Sequence, residues 1–85
     1  MSYPPILVLG RDTCEDTTAS REHLTTRGVP FTYRKVDEDP DADAWIRSLN
    51  DGHWVTPTIL FGDPAHPDLI LRERGNELGG GGRPN

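Results

Sequence analysis

This 85-residue chain has a single cysteine, and its thiol is the side chain that could take part in the most kinds of reaction. Cys14 lies in the stretch RDTCEDTT, residues 11–18, where two acidic residues and two threonines follow it. One cysteine excludes an internal disulfide and a multi-cysteine zinc site. Cys14 is therefore either a small buried apolar residue or a reactive thiol, and a reactive thiol works through its thiolate.

The residues around Cys14 predict the start of a helix, which would favour a thiolate. The pattern TCED, residues 13–16, fits a capping box in which Thr13 is the N-cap and Asp16 accepts from its backbone N–H. The register shifted by one residue, with Asp12 as the N-cap and Glu15 as its partner, fits as well. Free backbone N–H groups and the positive end of the helix dipole lie at such a terminus and stabilise negative charge.

Some of the nearby side chains favour ionisation of the Cys14 thiol, and others oppose it. Arg11 brings a positive charge close to the sulfur, and Thr17, one helical turn after Cys14, can donate its hydroxyl. The carboxylates of Glu15 and Asp16 oppose ionisation, although Glu15 should face solvent and Asp16 the backbone. We expect the pKa of Cys14 to lie below the value of about 8.5 for free cysteine. The alternative is an inert Cys14 at a well-capped helix start, since helix N-termini commonly collect acidic residues and threonines.

The composition indicates one small domain without a basic partner surface. Hydrophobic residues make up 33% of the chain, with 9 glycines and 8 prolines, so we expect a compact core and many turns. The net charge of −5 argues against nucleic acid or an anionic membrane surface as a partner. The apolar run 6–9 is too short for a signal peptide or a membrane span, so we expect a cytoplasmic location. No metal site is expected, because the histidines are widely spaced: His23, His53 and His66.

Six elements are predicted, in the order β-α-β-α-β-β. The first helix runs from about Cys14 to Arg27, with Gly28 as its C′ residue. The second helix is the clearest, since Asp39 suits the N-cap and Pro40 the first helical position, and its apolar residues share one face: Ala42, Trp45, Ile46 and Leu49. Strand–helix–strand alternation indicates a parallel pair and a terminal hairpin an antiparallel edge. The predicted strands are 6–10, 30–37, 55–61 and 68–72.

The last residues are predicted as a helix start and a tail. RGNEL, residues 74–78, can begin a last helix with Asn76 as its cap. The four glycines that follow are too costly for this helix to continue. We therefore expect an ordered domain over residues 1–78 and a flexible glycine-rich tail over 79–85.

This order of elements, with Cys14 at the start of the first helix and Thr56–Pro57 before the third strand, resembles the glutaredoxin branch of the thioredoxin superfamily. The resemblance covers residues 5–78, and VTPTILFGD, residues 55–63, is similar to the family's cis-proline strand. It implies an α/β, thioredoxin/glutaredoxin-like fold, in which helices flank a four-stranded mixed sheet and the last helix is short or truncated. It also implies a cis Thr56–Pro57 bond, whereas most X-Pro bonds are trans.

The site departs from the family's common C-P-x-C motif. The chain has Cys14-Glu15-Asp16-Thr17, so a resolving cysteine is missing and dithiol exchange within the chain is impossible. A monothiol route remains, and the nearest pattern is that of small bacterial glutaredoxin-like proteins with Cys-x-Asp-Cys/Thr sites. The implied function is thiol–disulfide exchange on protein or small-molecule mixed disulfides. A low-molecular-weight thiol, glutathione or an equivalent, is the implied co-substrate.

The resemblance also assigns roles to residues. Cys14 would be the nucleophile with Thr17 beside its sulfur, and Thr56 would offer its backbone N–H and C=O to a bound thiol. Gly75 and Asn76 lie where the family binds a carboxylate at its last helix, and a capped turn that frays into the tail is the alternative. The expected thiol-binding residues are Arg11, Thr13, Thr56, Pro57, Gly75 and Asn76.

Two other functions stay open at this point. A dimer would hold an iron–sulfur cluster through two copies of Cys14 and two small thiols, although the family's cluster-binding members typically carry a C-G-F-S site. The other is a catalytically inactive thioredoxin-fold module kept for protein contacts. For the exchange enzyme itself, we expect a monomer without a metal.

Overall fold

A computed structural model describes residues 5–72 of the chain. The predicted last helix, the tail over 79–85 and the candidate residues Gly75 and Asn76 lie outside the described residues. Inside them the chain follows the predicted order of elements: β1 (Ile6–Gly10), α1 (Glu15–Thr26), β2 (Thr32–Lys35), α2 (Pro40–Leu49), β3 (Thr58–Asp63) and β4 (His66–Arg72). The four strands form one sheet in the order β2-β1-β3-β4.

The sheet is mixed, as predicted. β1 pairs with β2 in parallel and with β3 in the antiparallel direction, so that Val8 lies between Tyr33 and Ile59. β3 and β4 form the antiparallel hairpin at the edge. β3 begins at Thr58 rather than at the predicted residue 55, because Pro57 has no N–H to donate to a ladder. The predicted second strand was too long at both ends, and the fourth began two residues too late.

The main hydrophobic core lies between the sheet and α2. Its buried members come from both layers and from the connections: Leu7, Leu9, Val36, Ala42, Ile46 and Leu60. Full burial of a leucine or isoleucine side chain stabilises a fold by roughly 1.5–3 kcal/mol. Asn50, the C-cap of α2, donates its side-chain amide to the C=O of Ile46 at 2.8 Å and to the hydroxyl of Thr58 at 3.3 Å. The end of α2 is thereby tied to the first residue of β3.

The opposite face of the sheet is covered by α1, which is a polar helix. Its one buried residue is Thr17. An open groove of about 600 Å³ runs between α1 and the β3–β4 hairpin, and Leu69 and Leu71 of β4 are 50% and 46% exposed. α1 ends near the predicted position, with Arg27 as C-cap and Gly28 at a positive φ of 70°. The place of α1 on the sheet thus depends less on apolar burial than that of α2.

Candidate active site

The chain between β1 and α1 places Cys14 at the N-cap of α1. Cys14 has extended backbone angles, φ −90° and ψ 120°, and its C=O accepts the first helical hydrogen bond from the N–H of Thr18 at 3.1 Å. The preceding turn is closed by the Cys14 N–H, which donates to the C=O of Arg11 at 3.2 Å. Both predicted capping boxes are therefore wrong, since neither Thr13 nor Asp12 is the N-cap. The side chain of Cys14 makes no capping hydrogen bond either.

Asp12 does not cap α1 because its carboxylate is bound to other elements. It accepts from the hydroxyl of Tyr33 at 2.9 Å and from the ammonium group of Lys35 at 3.4 Å, both on β2. Arg21 of α1 lies 3.6 Å from the same carboxylate. Burial and the bond to Asp12 raise the pKa of Tyr33 to about 12. These contacts anchor the loop that carries Cys14. They cannot be predicted from a local sequence pattern, because the partners on β2 are more than twenty residues away along the chain.

The sulfur of Cys14 lies against Thr56, which is 42 residues further along the chain. The Thr56 hydroxyl donates to the sulfur at 3.3 Å, and the thiol of Cys14 lies 3.5 Å from the C=O of Thr56. The Thr56–Pro57 bond is cis, as the resemblance implied, and Pro57 is fully buried. The N–H of Thr56 has no hydrogen-bond partner within residues 5–72. The site therefore combines one thiol with one hydroxyl and with backbone groups that a bound thiol can use.

The pKa of the Cys14 thiol lies below its ordinary value, in the direction that the sequence predicted. Burial acts first and raises this pKa, but hydrogen bonding outweighs it. The Thr56 hydroxyl is the largest lowering influence, followed by the hydroxyl of Thr17 and by the N–H groups of Thr17 and Asp16. These amides act on the sulfur although neither makes a full capping hydrogen bond to it. The largest influence that lowers this pKa is thus a residue of the segment before β3, rather than Arg11 or the helix end.

Thr17 is the third residue of α1. Its side chain is fully buried, and its hydroxyl has no hydrogen-bond partner within the described residues. It packs against Gly10, where an added Cβ would lie 2.5 Å from the Thr17 hydroxyl oxygen. The backbone of β1 and the helix start therefore approach closely because residue 10 has no side chain. A buried hydroxyl without a partner is costly, which makes Thr17 a candidate to bind a ligand or the sulfur.

The side chain of Arg11 lies over the ring of Trp54. The guanidinium of Arg11 lies 5.5 Å from the centre of the Trp54 ring, and that of Arg47 lies 5.3 Å from it. The indole N–H of Trp54 donates to Asp43 at 2.7 Å. Trp54 therefore lies beside the loop that leads to Cys14.

The structure brings four of the candidate residues together: Cys14, Thr17, Thr56 and Pro57. Arg11 lies at the rim with Trp54, and Thr13 is exposed and caps nothing. Sequence reasoning missed the side chain of Thr56, because the resemblance drew attention only to its backbone. The signal that could have revealed this role is that the residue before the proline, Thr56, carries a hydroxyl.

The family of the chain follows from these findings and from comparison with known proteins. The glutaredoxin family model matches residues 6–63, which include Cys14, Thr17, Thr56 and Pro57. The chain belongs to the glutaredoxin family. It is also similar to Mycoredoxin 1 from two strains of Corynebacterium glutamicum, with 42% identity over 39 residues. That match covers 46% of this chain and 49% of the relative, so it spans about half the length of the curated proteins. No solved structure matches the chain significantly.

Two negative findings apply to residues 5–72. No three histidine, cysteine or acidic side chains are grouped there so as to hold a metal ion. Neither helix in this part of the chain has the length and apolar character needed to cross a bilayer.

Proposed function

We propose that the chain is a monothiol thiol–disulfide oxidoreductase, which uses Cys14 to exchange mixed disulfides with a low-molecular-weight thiol. The environment of the sulfur carries this proposal. The Cys14 thiol is partly buried at an uncapped helix N-terminus, 3.3 Å from a hydroxyl, and its pKa is lowered. A lower pKa leaves more of the thiol as the nucleophilic thiolate at neutral pH. Membership of the glutaredoxin family supports the same chemistry.

The reaction has two steps. The thiolate of Cys14 first attacks the small-thiol sulfur of a mixed disulfide, which forms a new S–S bond and breaks the old one. The protein sulfur leaves as a thiolate and takes a proton from water. The thiolate of a second small thiol then attacks the intermediate and releases Cys14 as a thiolate. The protein thiol ends reduced, and the two small-thiol units end as a disulfide.

Each residue around the sulfur has a role in this scheme. Cys14 is the nucleophile, and Thr17 stands where the common motif has its second cysteine, so the second step needs an external thiol. The N–H and C=O of Thr56, beside Pro57, pair with the backbone or amide groups of the bound thiol, as an added strand would.

The polar part of the small thiol is bound at the rim. Arg11 and Thr13 precede Cys14 on the loop before α1, and the ring of Trp54 lies beside Arg11. Gly75 and Asn76, outside the described residues, are proposed to bind a carboxylate where the thiol carries one. The similarity to a protein named mycoredoxin favours a mycothiol-like thiol over glutathione. We propose that the protein acts as a cytoplasmic monomer.

A reduction assay tests the proposal. Mixed disulfides of glutathione and of mycothiol with a reporter protein are each offered to the wild type and to Cys14→Ser, with the matching free thiol in excess. We expect turnover by the wild type with at least one thiol and background rates with Cys14→Ser. Equal background rates for both proteins with both thiols would overturn the proposed activity.

A further inference from the structure

The hydroxyl of Thr56 is the group best placed to act on the reacting sulfur. Its oxygen lies 3.3 Å from the sulfur of Cys14, well within hydrogen-bond range for sulfur. Within residues 5–72 this hydroxyl donates to no other acceptor. The hydroxyl of Thr17, which the sequence singled out for this task, is buried without a hydrogen bond of full geometry. The side-chain donor with full hydrogen-bond geometry is therefore on the strand side of the site.

The surroundings of Thr56 hold this hydroxyl in place. A residue before proline is confined to extended backbone angles, and a threonine side chain has few rotamers. Pro57 is fully buried, and the hydroxyl of Thr58 donates to the C=O of Val55 across the segment. Thr58 in turn accepts from the amide of Asn50 at the end of α2. A donor held in this way loses little freedom when it bonds to a charged sulfur.

The two groups of Thr56 favour opposite protonation states of Cys14. The C=O, 3.5 Å from the sulfur, accepts only from the protonated thiol. The hydroxyl remains a donor when the proton has left, and its bond then becomes stronger because it is charge-assisted. Ionisation thus removes the hydrogen bond from the thiol to the C=O and strengthens the one from the hydroxyl to the sulfur.

We propose that the Thr56 hydroxyl is a catalytic hydrogen-bond donor that serves the Cys14 sulfur twice, first as attacking thiolate and then as leaving thiolate. The inference rests on the proposed exchange at Cys14. In the first step the sulfur loses negative charge as its new S–S bond forms, and in the second it regains that charge as the bond breaks. The hydroxyl therefore moderates the attack and assists the release.

This role predicts a crossing pH profile. Without the hydroxyl, less thiolate is present at low pH, but each thiolate is more nucleophilic, by about threefold for each tenfold rise in basicity. The variant should attack several-fold more slowly than the wild type at pH 5–6, and as fast or faster once both thiols are ionised. Release of Cys14 should be slower at every pH, because a more basic thiolate leaves less readily.

The test compares Thr56→Val, which has the same shape without the hydroxyl, with Thr56→Ser, which keeps the hydroxyl. Thr32→Val, at the one exposed position of β2, is the matched control. Iodoacetamide alkylation of Cys14 from pH 5 to pH 10 reports the attack, and stopped-flow reduction of a preformed Cys14 mixed disulfide reports the release. Circular dichroism checks folding, and Thr56→Ala replaces the valine variant where that variant does not fold.

We expect crossing alkylation profiles and a slower release for Thr56→Val, with recovery in Thr56→Ser and no change in Thr32→Val. Superimposable profiles for the wild type and Thr56→Val would overturn the inference, as would a serine variant that behaves like the valine one. Because alkylation needs no turnover, these outcomes differ from a failure of the exchange activity, which would leave the wild type itself inactive on every mixed disulfide.

Discussion

The two helices begin with opposite solutions to the same problem, the unpaired N–H groups of a first turn. At α2, the carboxylate of Asp39 accepts from the N–H of Asp41 at 3.1 Å and of Ala42 at 3.2 Å, and it also binds Arg34 at 2.7 Å. At α1, the N-cap is Cys14, whose side chain makes no such bond. One terminus is closed by its own side chain, while the other keeps its N–H groups available near a sulfur.

The difference shows how a small fold separates stability from chemistry. α2 is stabilised by its N-cap and by its residues in the apolar core, and its first turn has no reactive side chain. α1 lacks both, and contacts from outside the helix hold its start instead. Asp12 anchors the preceding loop to β2, and Thr17 packs on Gly10. A capping side chain in place of Cys14 would stabilise the fold and remove the thiol, a trade-off familiar from functional sites.

Cys14→Ser should have the largest effect, because it turns the start of α1 into a capped one. We expect mixed-disulfide reduction to fall at least about a hundredfold, to background, since no thiol remains. The melting temperature should rise by about 2–6 °C, because serine is a good N-cap. A reductase assay and thermal unfolding, each against the wild type, measure the two effects. Activity lost together with stability would contradict this account of the α1 terminus.

Gly10→Ala should be next, because it forces β1 and α1 apart. An added Cβ would lie 2.5 Å from the oxygen and 2.6 Å from the methyl carbon of the buried Thr17 side chain. We expect a loss of about 1–3 kcal/mol in the free energy of unfolding, measured in urea. Combined with Thr17→Ala, the loss should be smaller than the sum of the two single losses, because the clash is gone. Strictly additive losses would show that the two residues do not press on each other.

Asp39→Ala tests the other half of the comparison by leaving α2 uncapped. We expect a melting temperature about 4–8 °C lower at pH 7, with unchanged mixed-disulfide reduction. Bonds from Ala42 and Arg34 lower the pKa of Asp39, so its contribution is present above the unfolded pKa of about 3.9 and is lost as the pH falls through the folded value. The gap between wild type and variant should therefore narrow in acid, whereas Asp39→Asn should retain the cap. A difference in melting temperature that stays constant from pH 7 to pH 2 would show that the charged carboxylate of Asp39 is not what stabilises the start of α2.

Asp12→Ala should have the smallest effect, on the anchor that replaces a cap at α1. Burial and the Asp12 carboxylate raise the pKa of Tyr33 to about 12, so removal of the carboxylate should lower it part of the way toward 10. Tyrosinate absorbance during alkaline titration measures this shift, and Tyr33→Phe, which leaves Tyr3 as the other tyrosine, assigns it. Alkylation of Cys14 should change by less than about threefold. An unmoved Tyr33 transition would show that the anchor is not formed in solution.

Local signals predicted α2 well. The signals for this helix, Asp39, Pro40 and one apolar face, lie within a few residues of each other. The cap that they predict forms within the same helix. The start of α1 was predicted one residue early and with the wrong cap, because the pattern around it offers several capping residues. Asp12 is drawn away by Tyr33, which no local pattern shows.

The site itself was predicted in part. The nearness of Cys14 to Thr56–Pro57 came from the family resemblance, since nothing in the spacing of residues 42 apart indicates contact. The role of the Thr56 side chain was not foreseen, because whether a side chain faces the sulfur depends on how β3 sits against the start of α1. Arg11 was expected at the sulfur, but its guanidinium lies over the ring of Trp54, 5.5 Å from the ring centre.

The residues and their order along the chain were enough to predict one thiol, no resolving cysteine, a β-α-β-α-β-β order and a capped second helix. These are properties of composition and of neighbours along the chain. The groups that surround the sulfur, and the balance of their effects on its pKa, follow instead from the packing of residues that are distant along the chain. Hydrogen bonds to the sulfur act over about 3 Å, so they depend on the register of the sheet and on the loop that Asp12 anchors.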